Sequence, residues 1–347
     1  MFTVVIATPD VVGERMAGPG IRAFHFAEEL SKHFPTTLIS RAEWGTPAAR
    51  KAMREAAVLI GQPARGFHRM RSGQRIVYDL FDPILFELRE LYGRHPSLRQ
   101  RLHFIAEQLR LQRALSEGDL FIVATPHQRE LYAGKPMIEI GFGAEQDPGQ
   151  PTTDNRQLIL WGGGTWEWLD PRTAVDAVVR VNREGVACKL LFLGRSRPNP
   201  ALADRRRESR FDELLVAGGP HVEAIADWTP YRERLSWLRR SRIAMMLHRS
   251  TAEAHYSIRT RLFDAIGAAT PVIATEEGYA AELVAREGLG IVVPPEDAGA
   301  VASAIKKLLQ DDAFHARCVS NLERVRPSYA WPLVVRPLIE AVNQWRS

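Results

Sequence analysis

LILWGGGTWEWLDP, residues 158–171, is the stretch that decides the fold class of this chain. Four apolar residues form a strand candidate, and the glycines Gly162–Gly164 follow it with no residue in between. Asp170 precedes a proline, an arrangement typical of a capped helix whose first position is Pro171. The stretch therefore predicts a buried strand, a tight loop and a helix start. At such a turn Gly163, Gly164 and Thr165 can offer backbone amides to an anion.

The same alternation of apolar runs and helical patterns extends over most of the chain. Short Val-, Ile- and Leu-rich runs separated by helices predict parallel sheets covered on both faces. The strand candidates of the first half are Phe2–Thr8, Thr36–Ser40, Ala57–Gly61, Arg75–Leu80, Leu120–Thr125 and Met137–Gly141. Those of the second half are Leu158–Gly163, Lys189–Gly194, His221–Ala226, Arg242–His248, Pro271–Thr275 and Gly290–Val293. The pattern predicts an α/β protein with two doubly wound domains.

Residues 147–154 separate the two halves, because they are polar, rich in proline and glycine, and lack a hydrophobic period. We predict one domain over residues 1–150, a second over 151–328, and a terminal helical segment over 329–347. Doubly wound sheets bind ligands at the carboxyl ends of their strands, so a cleft between the domains is the expected functional site.

Composition excludes several classes of protein. The 347 residues are 45% hydrophobic and 25% charged, which is typical of a globular protein. No run approaches the roughly 18 apolar residues of a membrane span, and Met1–Ile6 lacks the charged start of a signal peptide. Two cysteines cannot form a disulfide framework or a zinc site, and a net charge of +5 does not indicate nucleic-acid binding. We expect a cytoplasmic protein.

One segment is locally basic. Residues 41–75 contain eight basic side chains and two acidic ones, a net charge of +6. Such a run is either a solvated helical face or a surface for anionic lipid or a phosphorylated acceptor. The second reading predicts a peripheral contact with the inner face of a membrane.

A second glycine loop precedes a helix in the first half. Gly18-Pro19-Gly20-Ile21-Arg22-Ala23 matches the dinucleotide fingerprint, and Glu43 follows about 20 residues later. Residues 9–17, however, separate this loop from its strand, which the fingerprint does not allow. Either Gly20 and Arg22 contact a phosphate or a sugar, or the loop is a flexible lead into the helix.

The densest group of chemically able residues lies between residues 248 and 264. It follows an apolar strand and enters a helix that Ser257 can cap, which places two arginines near the positive end of that helix. Paired N–H groups of arginine suit a diphosphate, and carboxylates can accept hydrogen bonds from sugar hydroxyls. The alternative is a capped helix with surface charges. The candidates are His248, Glu253, Ser257, Arg259, Thr260, Arg261 and Asp264.

These residues resemble a known family. RLFDAIGAATPVIAT (261–275), the Glu282-Leu283-Val284 run, GLGIVVPPED (288–297) and DWTPY (227–231) are similar to motifs of glycosyltransferase family 4, the bacterial group 1 enzymes. The resemblance covers residues 155–345 well and the first half loosely. It implies the GT-B fold, in which two Rossmann-like domains face a cleft and a C-terminal helix crosses back to the first domain.

The resemblance also implies roles for the candidates. Glu253 would meet hydroxyls of the donor sugar, and Asp264 the ribose of its nucleotide. Trp228 and Tyr231 would lie near the base. Arg259 and Arg261 would hold the diphosphate, because the arginine and lysine that relatives carry after the glycine loop are missing here. Glu253 and Asp264 also depart from the family's spacing of paired glutamates.

The first half departs from relatives that have His-Asp-Pro after the fourth strand. Here Phe81 stands where the histidine would be, followed by Asp82 and Pro83. Asp82, Asp79 or Glu87 can supply a carboxylate to the site, and the catalytic candidates are Asp82 and Glu253. Asp79 and Asp82 are alternatively a turn residue and a helix cap, and His127 is a loop residue.

The implied reaction is transfer of a hexose-type sugar from a nucleotide-diphosphate donor to a hydroxyl, with retention. The acceptor would be a carbohydrate, a lipid-linked molecule or a small molecule, in surface polysaccharide or glycoconjugate synthesis. No D-x-D motif occurs, so we expect no metal and no cofactor. The alternatives are a catalytically silent nucleotide-sugar-binding homologue, a nucleotide-sugar epimerase and a NAD-dependent enzyme.

Overall fold

The computed structural model describes residues 2–146, 155–194 and 205–346, and the predicted linker at 147–154 lies outside them. The chain divides into two compact units. Of the described residues, the first unit contains 2–142, 256–258 and 331–346. The second contains the rest, from Gly143 to His255 and from Arg259 to Ala330.

The described part of the first unit is built on a parallel sheet of six strands. In spatial order these are β2, β1, β3, β4, β5 and β6. Strands β1, β3 and β5 are fully buried because their apolar runs are covered by helices on both faces. The bounds are β1 Val4–Ala7, β2 Thr36–Ile39, β3 Val58–Gly61, β4 Arg75–Asp79, β5 Leu120–Val123 and β6 Met137–Glu139.

Helices connect these strands. They are α1 Gly18–Ser31, α2 Pro47–Glu55, α3 Ile84–Tyr92, α4 Leu98–Glu117 and α5 Pro126–Leu131. One core cluster joins Ala49 and Met53 of α2 to Ala114 of α4 and to the inward side chains of β3, β4 and β5. The C-terminal helix, Trp331–Gln344, also packs in this unit, and the Trp331 ring stacks on His25 at 4.3 Å.

The second unit repeats the architecture with another six described parallel strands, in the order β12, β11, β10, β7, β8 and β9. The strand bounds are β7 Asn155–Trp161, β8 Lys189–Phe192, β9 Val222–Ala224, β10 Ser241–Met246, β11 Val272–Thr275 and β12 Gly290–Val293. Its helices are α6 Pro171–Arg183, α7 Arg205–Gly218, α8 Arg234–Arg240, α9 Ala252–Tyr256, α10 Thr260–Ala268, α11 Gly278–Glu287, α12 Ala298–Gln310 and α13 Asp312–Val325. The C-terminal helix is α14.

The prediction of a doubly wound α/β fold is confirmed, because both sheets are parallel and each has helices between its strands. The helix start predicted at residue 171 is also confirmed. Asp170 accepts a hydrogen bond from the Thr173 amide at 3.1 Å, and Pro171 occupies the first turn of α6. Within the described residues, no helix combines the length and the apolarity needed to span a membrane.

Candidate functional site

The glycine loop after β7 lies at the carboxyl edge of the second sheet, between the ends of β10 and β8. Gly163 has φ +75°, a conformation that favours glycine. A Cβ atom added there would lie 3.6 Å from Nε of Arg261, and the Gly164 carbonyl accepts a hydrogen bond from that guanidinium. The glycine loop and Arg261 therefore lie side by side.

Trp228 also lies close to this loop. A Cβ atom added to Gly164 would lie 3.7 Å from the Trp228 ring, and one added to Gly194 would lie 3.2 Å from the Trp228 Cα. Gly194 follows β8 and has φ +136°, so it allows the loop carrying Trp228 to approach closely. Trp166 stacks instead on Trp168, with ring centroids 5.2 Å apart.

Arg261 carries a buried positive charge that its surroundings only partly satisfy. Its guanidinium lies over the Trp161 ring at 5.1 Å, and the buried Nη1 has no hydrogen-bond partner among the described residues. Burial, together with the charge of Arg259, lowers the pKa of Arg261 to about 9, although Asp264 opposes this shift. A buried donor without a partner is costly, so this position favours an anionic ligand.

The helix that carries Arg261 begins later than the sequence suggests. Helix α10 starts at Thr260, its N-cap is Arg259, and no side chain caps it. The prediction that Ser257 caps this helix is therefore wrong, because residues 257–259 precede the helix without regular structure and Arg259 occupies the N-cap position. Ser257 is buried and falls in the segment that clusters with the first unit. The uncapped first turn leaves its amides available to a ligand.

Glu253 and Arg259 form a buried two-bond ion pair. Arg259 donates through Nη1 and Nη2 to the two carboxylate oxygens at 2.8 and 2.7 Å, and the Glu253 side chain is 1% exposed. The family resemblance implies that both contact the donor directly. In this arrangement Glu253 orients Arg259, whose Nε is buried and has no partner among the described residues.

His248 is buried at the end of β10. Burial, with the nearby charge of Arg259, lowers its pKa to about 3, so the ring is neutral at ordinary pH. Its Nδ1 lies 3.1 Å from the Arg249 carbonyl, which can only accept a hydrogen bond. The proton therefore resides on Nδ1, and Nε2 is an acceptor.

Asp264 and Tyr231 belong to a network that the sequence did not reveal. Arg234 donates to Asp264 at 2.7 Å and to the Tyr231 carbonyl at 2.6 Å, and its guanidinium lies 3.5 Å from the centroid of the Tyr231 ring. The Tyr231 hydroxyl donates to Glu145 at 2.8 Å. Burial raises the pKa of Asp264, although Arg234 opposes this. The sequence could have indicated the contact between Arg234 and Tyr231, because residues three apart lie on the same side of a helical turn.

In the first unit, Arg22 is engaged by the protein itself. It is 1% exposed and donates to Asp79 at 2.7 and 3.2 Å, to the Ile140 carbonyl at 2.8 Å and to the Gly141 carbonyl. The space beside Gly20 is also filled, since a Cβ atom there would lie 2.3 Å from the Val11 carbonyl oxygen. Gly20 thus permits a close approach of the chain to α1, and Arg22 fixes Asp79.

Asp82 lies among carboxylates at the carboxyl edge of the first sheet. Burial raises its pKa to about 7, and the charges of Asp10 and Asp79 add to this, while a 2.8 Å hydrogen bond from Gln62 and the charge of Arg22 oppose it. Asp82 does not cap α3, whose N-cap is Pro83. A carboxyl group with this pKa can hold or release a proton near neutral pH.

Phe81 is buried beneath the Arg22 guanidinium, with 5.0 Å between the guanidinium carbon and the ring centroid. His127 lies in the first turn of α5, and Cys188 and Cys318 are buried. Among the residues that the structure describes, no three His, Cys, Asp or Glu side chains are grouped so that they could hold a metal ion.

Known proteins share this architecture. Residues 156–311 match the family model described as glycosyl transferases group 1. Sucrose-phosphate synthase from Thermosynechococcus elongatus superposes with a TM-score of 0.73 over 99% of both chains, at 17% identity. HepE from Anabaena, solved with UDP-glucose, gives 0.72 over 99% of this chain and 100% of that one, at 12% identity.

WaaG, described as a glycosyltransferase involved in lipopolysaccharide biosynthesis, gives a TM-score of 0.69 at 14% identity, over 98% of this chain and 99% of its own. No curated protein sequence matches the chain significantly. The family match covers the glycine loop, Trp228 and the Glu253 to Asp264 cluster, and the structural matches extend over both units. Residues 156–311 of the second unit therefore match the group 1 glycosyltransferase family, and the chain has the GT-B fold of these solved glycosyltransferase structures.

Proposed function

We propose that this protein transfers a hexose-type sugar from a nucleotide-diphosphate donor to a hydroxyl acceptor, with retention at the anomeric carbon. The observation that carries this proposal is the buried, unpartnered Nη1 of Arg261 beside Gly163 and Gly164. A diphosphate oxygen is the group that satisfies this donor. The match to the group 1 family and the fold shared with HepE, which was solved with UDP-glucose, support a nucleotide sugar as the ligand.

In this proposal the diphosphate binds along the glycine loop. Arg261, the Gly163 and Gly164 amides, Thr165 and the first turn of α10 at Thr260 contact its oxygens. These groups stabilise the negative charge that develops on the leaving nucleotide as the glycosidic bond breaks, which is the main catalytic task of such a site. Arg259, held by Glu253, adds a fixed positive charge.

The nucleoside binds beside the two aromatic residues. Trp228 stacks on the base, and Tyr231 supports the same region through Arg234. Asp264 uses one oxygen for Arg234, while Oδ2 has no hydrogen bond from the described residues and can accept one from a ribose hydroxyl. His248 offers its Nε2 as an acceptor for a sugar hydroxyl.

Retention follows if the departing phosphate receives the proton of the acceptor hydroxyl on the same face. We place Asp82 at the acceptor, where the ionised carboxylate accepts a hydrogen bond from that hydroxyl. A carbohydrate, a lipid-linked molecule or a small hydroxyl compound can supply it. The likeness to WaaG supports a role in surface polysaccharide or glycoconjugate synthesis. We propose that neither a metal nor a cofactor takes part, since arginines and backbone amides can carry the leaving charge.

The basic segment at 41–75 supports a peripheral contact with anionic lipid at the cytoplasmic face of a membrane. Arg50, Arg54, His68, Arg69 and Met70 line a cavity of about 220 Å³. Arg50 and Arg54 lie one helical turn apart and are exposed. Their guanidiniums can bind phosphate groups, and each basic residue near an anionic surface contributes about 1 kcal/mol.

A catalytically silent homologue that only binds nucleotide sugars is the second candidate. Phe81 favours it, because this buried ring replaces a histidine found in relatives and cannot exchange a proton. The two candidates differ in turnover and not in donor binding, so the first experiment addresses binding and the second addresses products.

The first experiment is a thermal shift against UDP-, GDP-, dTDP- and ADP-sugars, with NAD as the control. A ligand that binds only the folded state increases the free energy of unfolding, by about 2.7 kcal/mol at 100 times its Kd. The melting temperature Tm rises as a result. We expect one nucleotide series to raise Tm. Stabilisation by NAD alone, or by no ligand, would contradict the proposal. Product analysis with the selected donor then tests retention, and inversion would make Asp82 a general base.

A further inference from the structure

Helix α4 exposes a row of large apolar side chains. Leu98 is 74% exposed, Leu102 59%, Ile105 50% and Leu109 59%. Their spacings of four, three and four residues place all four on one face of the helix. The opposite face, which includes Ala114 with Leu111 and Leu115, packs on the core of the first unit. We call the four exposed residues the α4 stripe.

The α4 stripe is unusual for a water-facing surface. Only two other large hydrophobic side chains of the described residues are this exposed, Val216 and Leu333, and they lie on different helices. Single exposed apolar residues need no explanation, whereas a contiguous row indicates an interaction surface. At 1.5 Å per residue the stripe is roughly 16 Å long.

The helix that carries the stripe is independently anchored. Ser97 and Gln100 form a complete capping box at its N-terminus, with bonds of 3.3 and 2.7 Å. Its last residue, Glu117, is held to the rest of the unit, since the Tyr78 hydroxyl of β4 donates to the Glu117 carboxylate and Arg69 donates to the Glu117 carbonyl. The stripe is thus presented on an ordered helix.

The charges beside the stripe have one sign. Arg99, Arg101 and Arg113 are exposed on its two flanks. The acidic residues of the helix are Glu107 and Glu117, whose side chains are only 14% and 19% exposed. Glu107 pairs with Arg110, and Glu117 accepts a hydrogen bond from Tyr78 and lies 3.6 Å from Nε of Arg113, which leaves Arg99 and Arg101 as the flanking arginines without a carboxylate partner among the described residues. The exposed face therefore combines apolar side chains with arginines.

This combination fits an anionic lipid surface better than a second copy of the chain. The next positions of the heptad pattern are Gln112 and Ser116, so the seam covers less than two heptads, and a coiled coil needs about three or four. Four side chains are also few against the roughly 20 to 30 residues a side of a stable interface. The exposed face of α4 also offers no exposed carboxylate that could pair with Arg99 or Arg101 of a second copy, as the charged flanks of paired helices do.

We propose that the outer face of α4 binds the surface of an anionic bilayer. Leu98, Leu102, Ile105 and Leu109 enter the boundary between headgroups and acyl chains, and the flanking arginines contact lipid phosphates. This extends the contact proposed for residues 41–75 by naming the apolar element that inserts. It does not depend on glycosyl transfer.

The test is co-sedimentation of the full chain with phosphatidylcholine vesicles, with and without phosphatidylglycerol. We expect the unmodified protein to bind the vesicles that contain phosphatidylglycerol. Leu102→Ser/Leu109→Ser should reduce the partition coefficient at least about tenfold, as should Arg99→Gln/Arg101→Gln. These positions are exposed, so the fold is retained, which circular dichroism checks.

The matched controls remove equivalent groups elsewhere. Val216→Ser/Leu333→Ser deletes the two other exposed apolar side chains, and Arg172→Gln/Arg180→Gln removes two exposed charges from α6. Both controls should bind like the unmodified protein.

Equal loss in variants and controls, or no binding to phosphatidylglycerol vesicles, would overturn the proposal. So would a dimer in light scattering that Leu102→Ser/Leu109→Ser converts to a monomer. Donor-induced thermal shifts remain unchanged in every case, so this result is independent of the proposed transferase site.

Discussion

Arg261 is the residue on which the donor site depends most. Its guanidinium reaches the glycine loop, stays charged although burial lowers its pKa to about 9, and retains one buried donor without a partner among the described residues. Arg261→Gln removes the charge and keeps a polar side chain. We expect about a 10- to 100-fold loss of affinity for the nucleotide sugar that gives the largest thermal shift, since a charge-assisted hydrogen bond contributes about 1.5–3 kcal/mol.

Isothermal titration with that donor measures this change. Arg172→Gln is the control, because Arg172 lies on the exposed surface of α6, where its side chain pairs with Asp176. An Arg261→Gln variant that is folded and binds the donor with unchanged affinity would remove Arg261 from the site.

Asp82 gives the second prediction at the residue level. Its pKa of about 7 means that the carboxylate becomes the major form only above neutral pH. If the ionised form accepts the hydrogen bond of the acceptor hydroxyl, kcat/KM rises with pH and levels off above about pH 7. Asp82→Asn should lower kcat/KM about 10- to 100-fold and abolish the rise.

The pH profile of kcat/KM, measured for both proteins with a saturating donor, checks this prediction. Donor affinity of Asp82→Asn serves as the control and should be unchanged. A variant that keeps the bend near pH 7 would assign that bend to another group.

At the level of residues, chemical type was predictable and partners were not. Gly163, Gly164, Trp228 and Arg261, which were chosen by residue type, lie close together in the structure, and their roles toward a donor remain predictions. The sequence could not show that Arg259 is held by Glu253, because a pair six residues apart depends on the path of the backbone between α9 and α10. The sequence could not show the partners of Arg22 either, since they are 57 to 119 residues away.

At the level of elements, the start of α1 depends on Gly20. A Cβ atom at this position would lie 2.3 Å from the Val11 carbonyl oxygen, and a backbone atom cannot yield as a flexible side chain can. Gly20→Ala should therefore destabilise the protein by about 1–3 kcal/mol, the usual cost of overpacking. Gly141→Ala is the matched control, because its nearest new contacts are at 3.8 Å. It should be neutral or slightly stabilising.

Urea unfolding of the two variants beside the unmodified protein measures the difference in the free energy of unfolding. Equal stability of the two variants would mean that the loop before α1 shifts at little cost.

Elements differ in how well local sequence determines them. Strands such as β1 and β10 were predictable from their apolar runs, and the start of α6 from Asp170 and Pro171. The start of α10 was not. Ser257 has the side chain of a cap, but the helix begins only at Thr260, and Arg259 becomes the N-cap without a capping bond from a side chain. The local preference of serine for a cap position therefore does not determine where this helix begins.

At the level of the whole molecule, hydrophobic period alone predicted two parallel sheets, because buried strands and covering helices leave separate patterns in the sequence. The sequence did not predict where the chain passes from one unit to the other. Residues 256–258 cluster with the first unit although the residues around them belong to the second. Three residues carry no periodic signal, so only long-range packing can assign them.

The pH dependence of unfolding is also a property of the whole molecule, because it sums all groups whose pKa changes on folding. His248 binds fewer protons folded, with a pKa of about 3 against 6.5, so its contribution to stability is lost as pH falls below about 6.5. Asp82 acts oppositely. Its folded pKa of about 7 exceeds 3.8, so stability is lost as pH rises between these values.

The difference between Asp82→Asn and the unmodified protein isolates the aspartate, since every other group is present in both. The asparagine side chain cannot ionise, so the variant should gain stability progressively above about pH 4 and be more stable by about 2–4 kcal/mol at about pH 8. The gain should vanish below about pH 3, where the carboxyl is protonated in both states. Urea unfolding at several pH values measures it. A difference that is constant with pH would show that the Asp82 carboxyl titrates alike in the folded and unfolded chain, and its proposed role at neutral pH would lose its physical basis.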